Sequence, residues 1–325
     1  MPRVVALAGG VGGAKLALGL QFVLAPGDLA VVVNTGDDEE FHGLLVCPDH
    51  DTVLYTLAGL ADRERGWGLA GETWAAAGQL ERLGEPTWFR LGDRDLALHV
   101  HRTRRLREGE RLTTIALDVA ARLGVATRIL PMSDAPVRTR VRTADGWLAF
   151  QDWFVRLRQE PAVFEVAFGG VFDGGREAAS AGAARALMTP EVQAALTGAD
   201  AVVICPSNPL VSIAPILAVP GIRDAIAHAR RRGIRVAAVS PIVGGRALRG
   251  PADRMLAALG EEVSALGVAR RYAGLIDAFV IDEADAALAP AVERLGMRAV
   301  VAPSVMTDDA SRAALARIAL DACLA

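Results

Sequence analysis

Val4-Val5-Ala6-Leu7-Ala8-Gly9-Gly10-Val11-Gly12-Gly13-Ala14-Lys15 is the stretch that decides the fold. The apolar run reads as a strand buried on both faces, the glycines as a loop, and about Ala14 to Val23 as a helix with Leu16, Leu20 and Val23 near helical spacing. Pro26-Gly27-Asp28 then turns the chain into a second buried strand, Leu29 to Val33. Strand, glycine loop, helix and strand in that order open a parallel sheet wound on both sides.

The pattern returns in the C-terminal half. Ala201 to Ile204, Val236 to Val239, Ala278 to Ile281 and Ala299 to Val301 read as buried strands, and Ile222 to Arg232 and Glu283 to Leu295 as helices between them. The middle differs. Residues 51 to about 125 read as mainly helical, and Val137 to Phe150 as a hairpin around Ala144-Asp145-Gly146. The expectation is an α/β fold, a doubly wound, mostly parallel Rossmann-like sheet with a largely helical insertion over the ligand edge. One catalytic domain spans 1–325, its sheet core about 1–50 and 195–325 and its inserted subregion about 51–190.

Composition bounds the function. The chain is 52% hydrophobic and carries a net charge of −3, so it folds and has no global field to recruit nucleic acid or an anionic membrane. Cys47, Cys205 and Cys323 are scattered, without a Cys-x-x-Cys pair, which excludes a disulfide framework and a thiolate zinc site and suits a reducing compartment. No stretch approaches the ~20 apolar residues of a membrane span. The expected location is cytoplasmic. Arg102, Arg104, Arg105 and Arg107 form the one basic run and read as a solvated helix face.

Gly9, Gly10, Gly12 and Gly13 stand where backbone N–H groups and a helix N-terminus receive phosphate. Four glycines exceed what helix–strand packing is expected to need. The loop is not a Walker A loop, since Leu16 follows Lys15 where a hydroxyl is required, and not a dinucleotide fingerprint, since Lys15 takes the third glycine's place and Asn34 ends the second strand. Lys15 is the only lysine among 35 Lys and Arg residues, which fits a phosphate contact too tight for a guanidinium; a solvated helix-face lysine is the alternative.

Asn34-Thr35-Gly36-Asp37-Asp38 closes the second strand, and Pro48-Asp49-His50-Asp51-Thr52 opens the next helix. Asp37, Asp38, Glu39, Asp49 and Asp51 crowd one sheet edge and repel unless neutralised, which suits Mg²⁺ held by one or two carboxylates plus substrate phosphates. Asp37 and Asp51 are the favoured metal pair. Asp38, Glu39 and Asp49 read equally as solvent-facing turn residues, and Asp51 also as a helix cap. His99 and His101, two apart in a helix, point to different faces and make a poor metal pair. Ser207 lacks the glycine-flanked elbow of a serine hydrolase.

Cys205-Pro206-Ser207-Asn208-Pro209 and Ser240-Pro241-Ile242-Val243-Gly244-Gly245-Arg246 follow neighbouring strands. Ser207 or Asn208 caps a helix with Pro209 in its first turn, and with Gly244 and Gly245 these loops form the candidate second wall of the cleft.

Taken together, these motifs resemble the 2-phospho-L-lactate transferase family. The resemblance runs from about residue 3 to 310 and adds Tyr55-Thr56-Leu57-Ala58-Gly59, Trp88-Phe89-Arg90-Leu91-Gly92-Asp93-Arg94-Asp95 and Pro131-Met132-Ser133-Asp134. It implies transfer of a phospho-acid, 2-phospholactate or phosphoenolpyruvate, from a guanosine diphosphate ester to the ribityl hydroxyl of the deazaflavin Fo. It also implies release of GMP, magnesium as the cofactor, and coenzyme F-420 as the pathway product. It implies Asp37 and Asp51 for the metal, and Asp51 with Arg90 near Fo. Lys15 and Asp51 are then the expected catalytic residues. Gly9, Gly10, Gly12, Gly13, Lys15, Asp51, Arg90, Ser207, Asn208, Gly244 and Gly245 are expected to bind substrates. The assembly stays open, a homodimer included. A related family of nucleotide-sugar-binding regulators shares the glycine loop and sheet, but carries a glycine- and serine-rich run where this chain has Asp37-Asp38-Glu39-Glu40-Phe41-His42.

Overall fold

A computed structural model describes residues 2–169 and 186–324. Seven parallel strands form the main sheet: β1 (Val4–Ala8), β2 (Leu29–Val33), β3 (Arg128–Pro131), β4 (Ala201–Ile204), β5 (Val236–Val239), β6 (Ala278–Ile281) and β7 (Arg298–Val301). Their spatial order is β7-β6-β5-β4-β1-β2-β3, all neighbours pairing in parallel. β1 takes Leu29 of β2 and Ala201 of β4 on either side of Val4. The strand order reverses there, and ligands of open α/β sheets bind at the carboxyl ends beside such a point.

The apolar runs of β1, β2, β4, β5 and β6 are wholly buried, as strands covered on both faces require. One face carries α1 (Gly10–Val23), α2 (Pro48–Leu57) and the C-terminal helix 309–324, with Leu16, Leu20, Leu54 and Leu315 in a common core. The other carries helices such as Ile222–Arg231 and Ala265–Tyr272 over Val5, Leu7, Ile204 and Phe279. Gly19 lets the C-terminal helix approach α1 closely, because a Cβ there would meet the carbonyl of Arg312. Among the described residues no single helix is long and apolar enough to cross a membrane. The bent pair Pro209–Ala218 and Ile222–Arg231 passes on length and composition, yet Leu210, Ile216 and Ile226 lie in the core.

The stretch expected as an insertion is less separate than the sequence suggests. β3 lies inside it and pairs with β2, and helix Leu112–Arg122 contributes Ile115 and Ala120 to the core beside α1. The expected hairpin is present as Arg138–Thr143 and Gly146–Ala149, joined by a third strand, Glu165–Gly169. The expected helix from Glu283 to Leu295 divides into a tight turn, Glu283–Leu288, and a short helix, Ala289–Glu293, at Pro290. The part of the insertion from 170 to 185 lies outside the described residues.

Candidate functional site

Asn34 follows β2 and holds the carboxyl edge together. Its Nδ2 lies 3.2 Å from Asp37 Oδ1, 2.9 Å from Asp49 Oδ2 and 3.1 Å from the Val211 carbonyl, while its Oδ1 accepts the Gly36 N–H at 2.8 Å. The chain then turns through Asp37 and Asp38 into the ribbon Glu39–Phe41 and Leu44–Val46, whose His42-Gly43 turn takes positive φ at both residues. The ribbon returns the chain to Cys47, and Pro48 starts α2 with Asp49 and Asp51 in its first turn. Hairpin 138–149 closes from above: Thr139 N–H donates to Gly36 O at 2.7 Å, and Gln151 donates to Asp37 O at 3.3 Å.

Asp37, Asp38, Asp49 and Asp51 are all buried, so the reading of Asp38 and Asp49 as solvent-facing turn residues is overturned. Their charges are not equivalent. Burial, then the neighbouring Asp49, raises Asp37 well above the carboxylate range. Burial pushes Asp49 up to about 6 despite Asn34, the Gly10 amide and Ser212, and pushes Asp38 up to about 7. Burial also penalises Asp51, but Arg102, His50 and His99 outweigh it and hold Asp51 well below the usual range.

Arg102 comes from α3 (Asp93–Arg107) and grips both Asp51 oxygens, with one N–H 3.1 Å from Oδ2. His50 Nδ1 is 3.2 Å from Asp51 Oδ1; His99 Nδ1 is 3.8 Å from Oδ2, and its Nε2 is 3.6 Å from Asp95, which also accepts the Tyr55 hydroxyl. The arginine run is therefore not one solvated face: Arg102 is 2% exposed, while Arg104 pairs with Glu108 and Arg105 with Glu110 and Asp118. Asp95, His99 and Arg102 fall at i, i+4 and i+7, one helix face, and that spacing is the signal that identifies a buried polar stripe. His101 is directed to Arg105 instead.

Asp37 and Asp51, expected as one metal pair, have different hydrogen-bond partners. Asp37 shares Asn34 with Asp49, and Asp51 is committed to Arg102. Thr35 Oγ1, Asp38 Oδ1 and Thr139 Oγ1 are buried without hydrogen-bond partners; Asp38 has Cys47, Arg138, Arg102 and Asp51 as neighbours. Among the described residues no group of three or more His, Cys, Asp or Glu is arranged to hold a metal.

The glycine loop has a packing role that its sequence does not reveal. Cβ atoms at Gly9, Gly12 and Gly13 would collide with Asp49 and Ser212, the Pro206 carbonyl, and the Ser207 hydroxyl, respectively. Ser207 Oγ accepts the Gly9 N–H at 3.0 Å and donates to Gly9 O at 2.8 Å, stapling the loop to β4. Only Gly10 combines a positive φ of 62° with free space, and it faces Asp49. Gly12→Ala drives its methyl into Pro206 O, so the expected result is a loss of about 1–3 kcal/mol, read from urea unfolding; an unchanged midpoint contradicts the close approach.

Lys15 Nζ donates to Met306 O at 3.1 Å. Burial first, then the charges of Arg312 and Arg249, lower its pKa, so its ammonium is crowded by cations and suited to an anion. Asn208, rather than Ser207, caps the turn after Pro209, accepting Leu210 N–H at 2.9 Å. Gly244 and Gly245 form the positive-φ turn of the ribbon 242–247, with Gly244 N–H donating to Asp285 at 3.0 Å. Arg90 is exposed and stacks on Trp74. Among the described residues no hydrogen bond or ion pair joins Arg90, Gly244 or Gly245 to Asp37, Asp38, Asp49 or Asp51.

Comparison with known proteins follows the same outline. A family model described as 2-phospho-L-lactate transferase CofD matches residues 4–314. A phosphoenolpyruvate transferase of Streptomyces griseus is 44% identical over 98% of each chain, and one of Mycobacterium avium is 39% identical over 96% of each. A 2-phospho-L-lactate transferase of Methanosarcina mazei is 38% identical over 98% of this chain and 100% of its own. A Bacillus halodurans protein of the UPF0052 family superposes with a TM-score of 0.62 over 98% of this chain and 99% of its own; at 14% identity that likeness concerns the fold.

Proposed function

Because the chain belongs to the 2-phospho-L-lactate transferase CofD family of coenzyme F-420 biosynthesis, we propose that it moves phosphoenolpyruvate from a guanosine diphosphate ester to the ribityl hydroxyl of Fo. Transfer of phospholactate or phosphoenolpyruvate to Fo is the family's reaction. The narrower choice of acid is supported by the names of the Streptomyces and Mycobacterium relatives. Three buried free cysteines agree with a reducing, cytosolic setting.

The observation that carries the site is the Asp37–Asp49 pair, two buried carboxylates joined by one Asn34 amide against the glycine loop. A bare phosphate at that loop would face Asp49 and be repelled. Two buried carboxylates fit Mg²⁺, an ion that one or two carboxylates would hold together with substrate phosphates. Asp37 and Asp49 would hold the ion, and it would supply positive charge to offset that of the donor's phosphates and of the departing GMP.

The chain's own groups do the rest. Lys15 and the loop N–H groups receive the donor's phosphates. Arg102 keeps Asp51 ionised, and with its charge compensated Asp51 serves the acceptor side together with Arg90. The Fo hydroxyl forms the new P–O bond to the phosphorus bearing the acid, its proton is released, and the bond from that phosphorus to GMP breaks. Positioning of the two substrates dominates, as in other phosphoryl transfers.

The test is mass analysis of the product from Fo and guanosine-linked donors carrying each acid. The expected product is phosphoenolpyruvyl-Fo with equimolar GMP, abolished by EDTA and restored by Mg²⁺. Phospholactyl-Fo alone rejects the choice of acid, and turnover indifferent to EDTA rejects the metal.

A further inference from the structure

We propose that Trp74 is a positioning residue for the acceptor, its indole face holding the Arg90 guanidinium where Fo binds. The inference rests on the reading of Arg90 as an acceptor contact and extends it to a residue that has no other role in the site.

Arg90 Cζ stands 4.4 Å from the centroid of the Trp74 ring. Among the described residues no carboxylate lies within ion-pair reach of Arg90, so the ring is what orders this exposed cation. Arg65 also approaches Trp74, at 5.4 Å, but it is paired with Asp62 at 2.7 Å and its charge is spent. Of the two guanidinium groups beside the indole, only Arg90 is free to meet a ligand.

The platform is held by a clasp of hydrogen bonds. Asp93, the first residue of α3, accepts the Ala75 and Ala76 N–H groups at 2.9 Å each and the Thr73 hydroxyl, so both chain neighbours of Trp74 are tied down. Glu72 answers by accepting the Arg94 and Asp95 N–H groups at 2.9 and 2.8 Å, and Gly92 leaves room for it. The residue before Arg90 is held as well: Phe89 stacks on Phe41 at 4.1 Å, on the ribbon that follows Asp37 and Asp38. One clasp thus sets Trp74, and one stack ties the Arg90 loop to the carboxylate edge. A guanidinium ordered beforehand loses less freedom when it meets an acceptor oxygen, and a face-on cation over indole is favourable even at an exposed site.

The experiment titrates Fo by its fluorescence against the full-length protein and follows steady-state turnover. For Trp74→Leu the expected result is an Fo Kd and KM raised about three- to thirtyfold, with kcat at saturating Fo and the donor KM within about twofold of wild type. Trp74→Phe, which keeps an aromatic face, stays within about threefold on the Fo terms, and it carries the test if the leucine variant does not fold. Arg90→Ala weakens Fo at least as much as Trp74→Leu, and the double variant is no worse than Arg90→Ala alone. Additive losses, a fall in kcat without a change in Fo affinity, or a Trp74→Phe defect equal to Arg90→Ala overturn the positioning role. If Arg90→Ala binds Fo normally, the acceptor reading of Arg90 itself is wrong and this inference falls with it, an outcome distinct from failure of Trp74 alone.

Discussion

Asparagine at Asp37 or at Asp49 is expected to lower turnover about a thousandfold while raising the melting temperature of the metal-free protein. The two effects share one cause. Each carboxylate is buried, Asp49 raises the pKa of Asp37, the two share the Asn34 amide, and among the described residues neither has an ion pair. Removing one buried carboxyl relieves the cost of burying an ionisable pair in the folded state, worth about 1–2 kcal/mol, and Asn34 still has an amide oxygen to donate to. The same substitution removes half of the protein's charge at the metal, and the stabilisation that Mg²⁺ confers on the wild type by mass action shrinks with it. Melting curves with EDTA and with millimolar Mg²⁺, beside steady-state rates, read all three quantities. Asp51→Asn differs in sign: it strands Arg102 and lowers the metal-free melting temperature. If Asp51→Asn abolishes the Mg²⁺-dependent stabilisation and Asp49→Asn leaves it whole, the metal pair is Asp37 with Asp51, as the resemblance implied.

Local patterns carried most of the fold and part of the site. β1, β2, β4, β5 and β6 are legible because strands buried on both faces must be apolar throughout, and their bounding turns hold glycine or proline. β3 is not, since Ile129 and Leu130 are flanked by Arg128 and Pro131 and only pairing with β2 makes them a strand. The glycine loop is legible as a loop, but its close packing is not. What forbids side chains at Gly12 and Gly13 is Pro206 and Ser207, close in space and some two hundred residues away in sequence (Ser207 and Gly9 are 198 apart). The carboxylate cluster was legible as a cluster, but its division was not. Which aspartate is compensated depends on α3 delivering Arg102, and a charge run read by composition places all four arginines in water.

Arg102 accordingly gives the largest expected effect on stability. Methionine in its place fills similar volume but leaves Asp51 buried without its guanidinium, and breaking a buried pair from one side costs about 3–5 kcal/mol. Leu45 O loses a donor as well, 3.3 Å away in the wild type. The sign with pH follows from Asp51, whose folded pKa lies below its unfolded one. Its contribution is fully present above the ordinary aspartate value of about 4 and is lost as pH falls through the folded pKa. In Arg102→Met the burial that opposes ionisation is left with less to balance it, so Asp51 protonates earlier and the penalty of its charge fades on acidification. The gap between wild type and Arg102→Met, measured by urea unfolding, is therefore widest at neutral pH and narrows toward pH 4. The double variant Arg102→Met with Asp51→Asn recovers much of the loss, because no unpaired charge remains, and the cycle yields the coupling directly. A single-variant cost below about 1 kcal/mol, the scale of a solvated ion pair, or a double variant that simply adds the two losses, would mean that Arg102 stabilises α3 by packing alone and that Asp51 draws its charge from elsewhere.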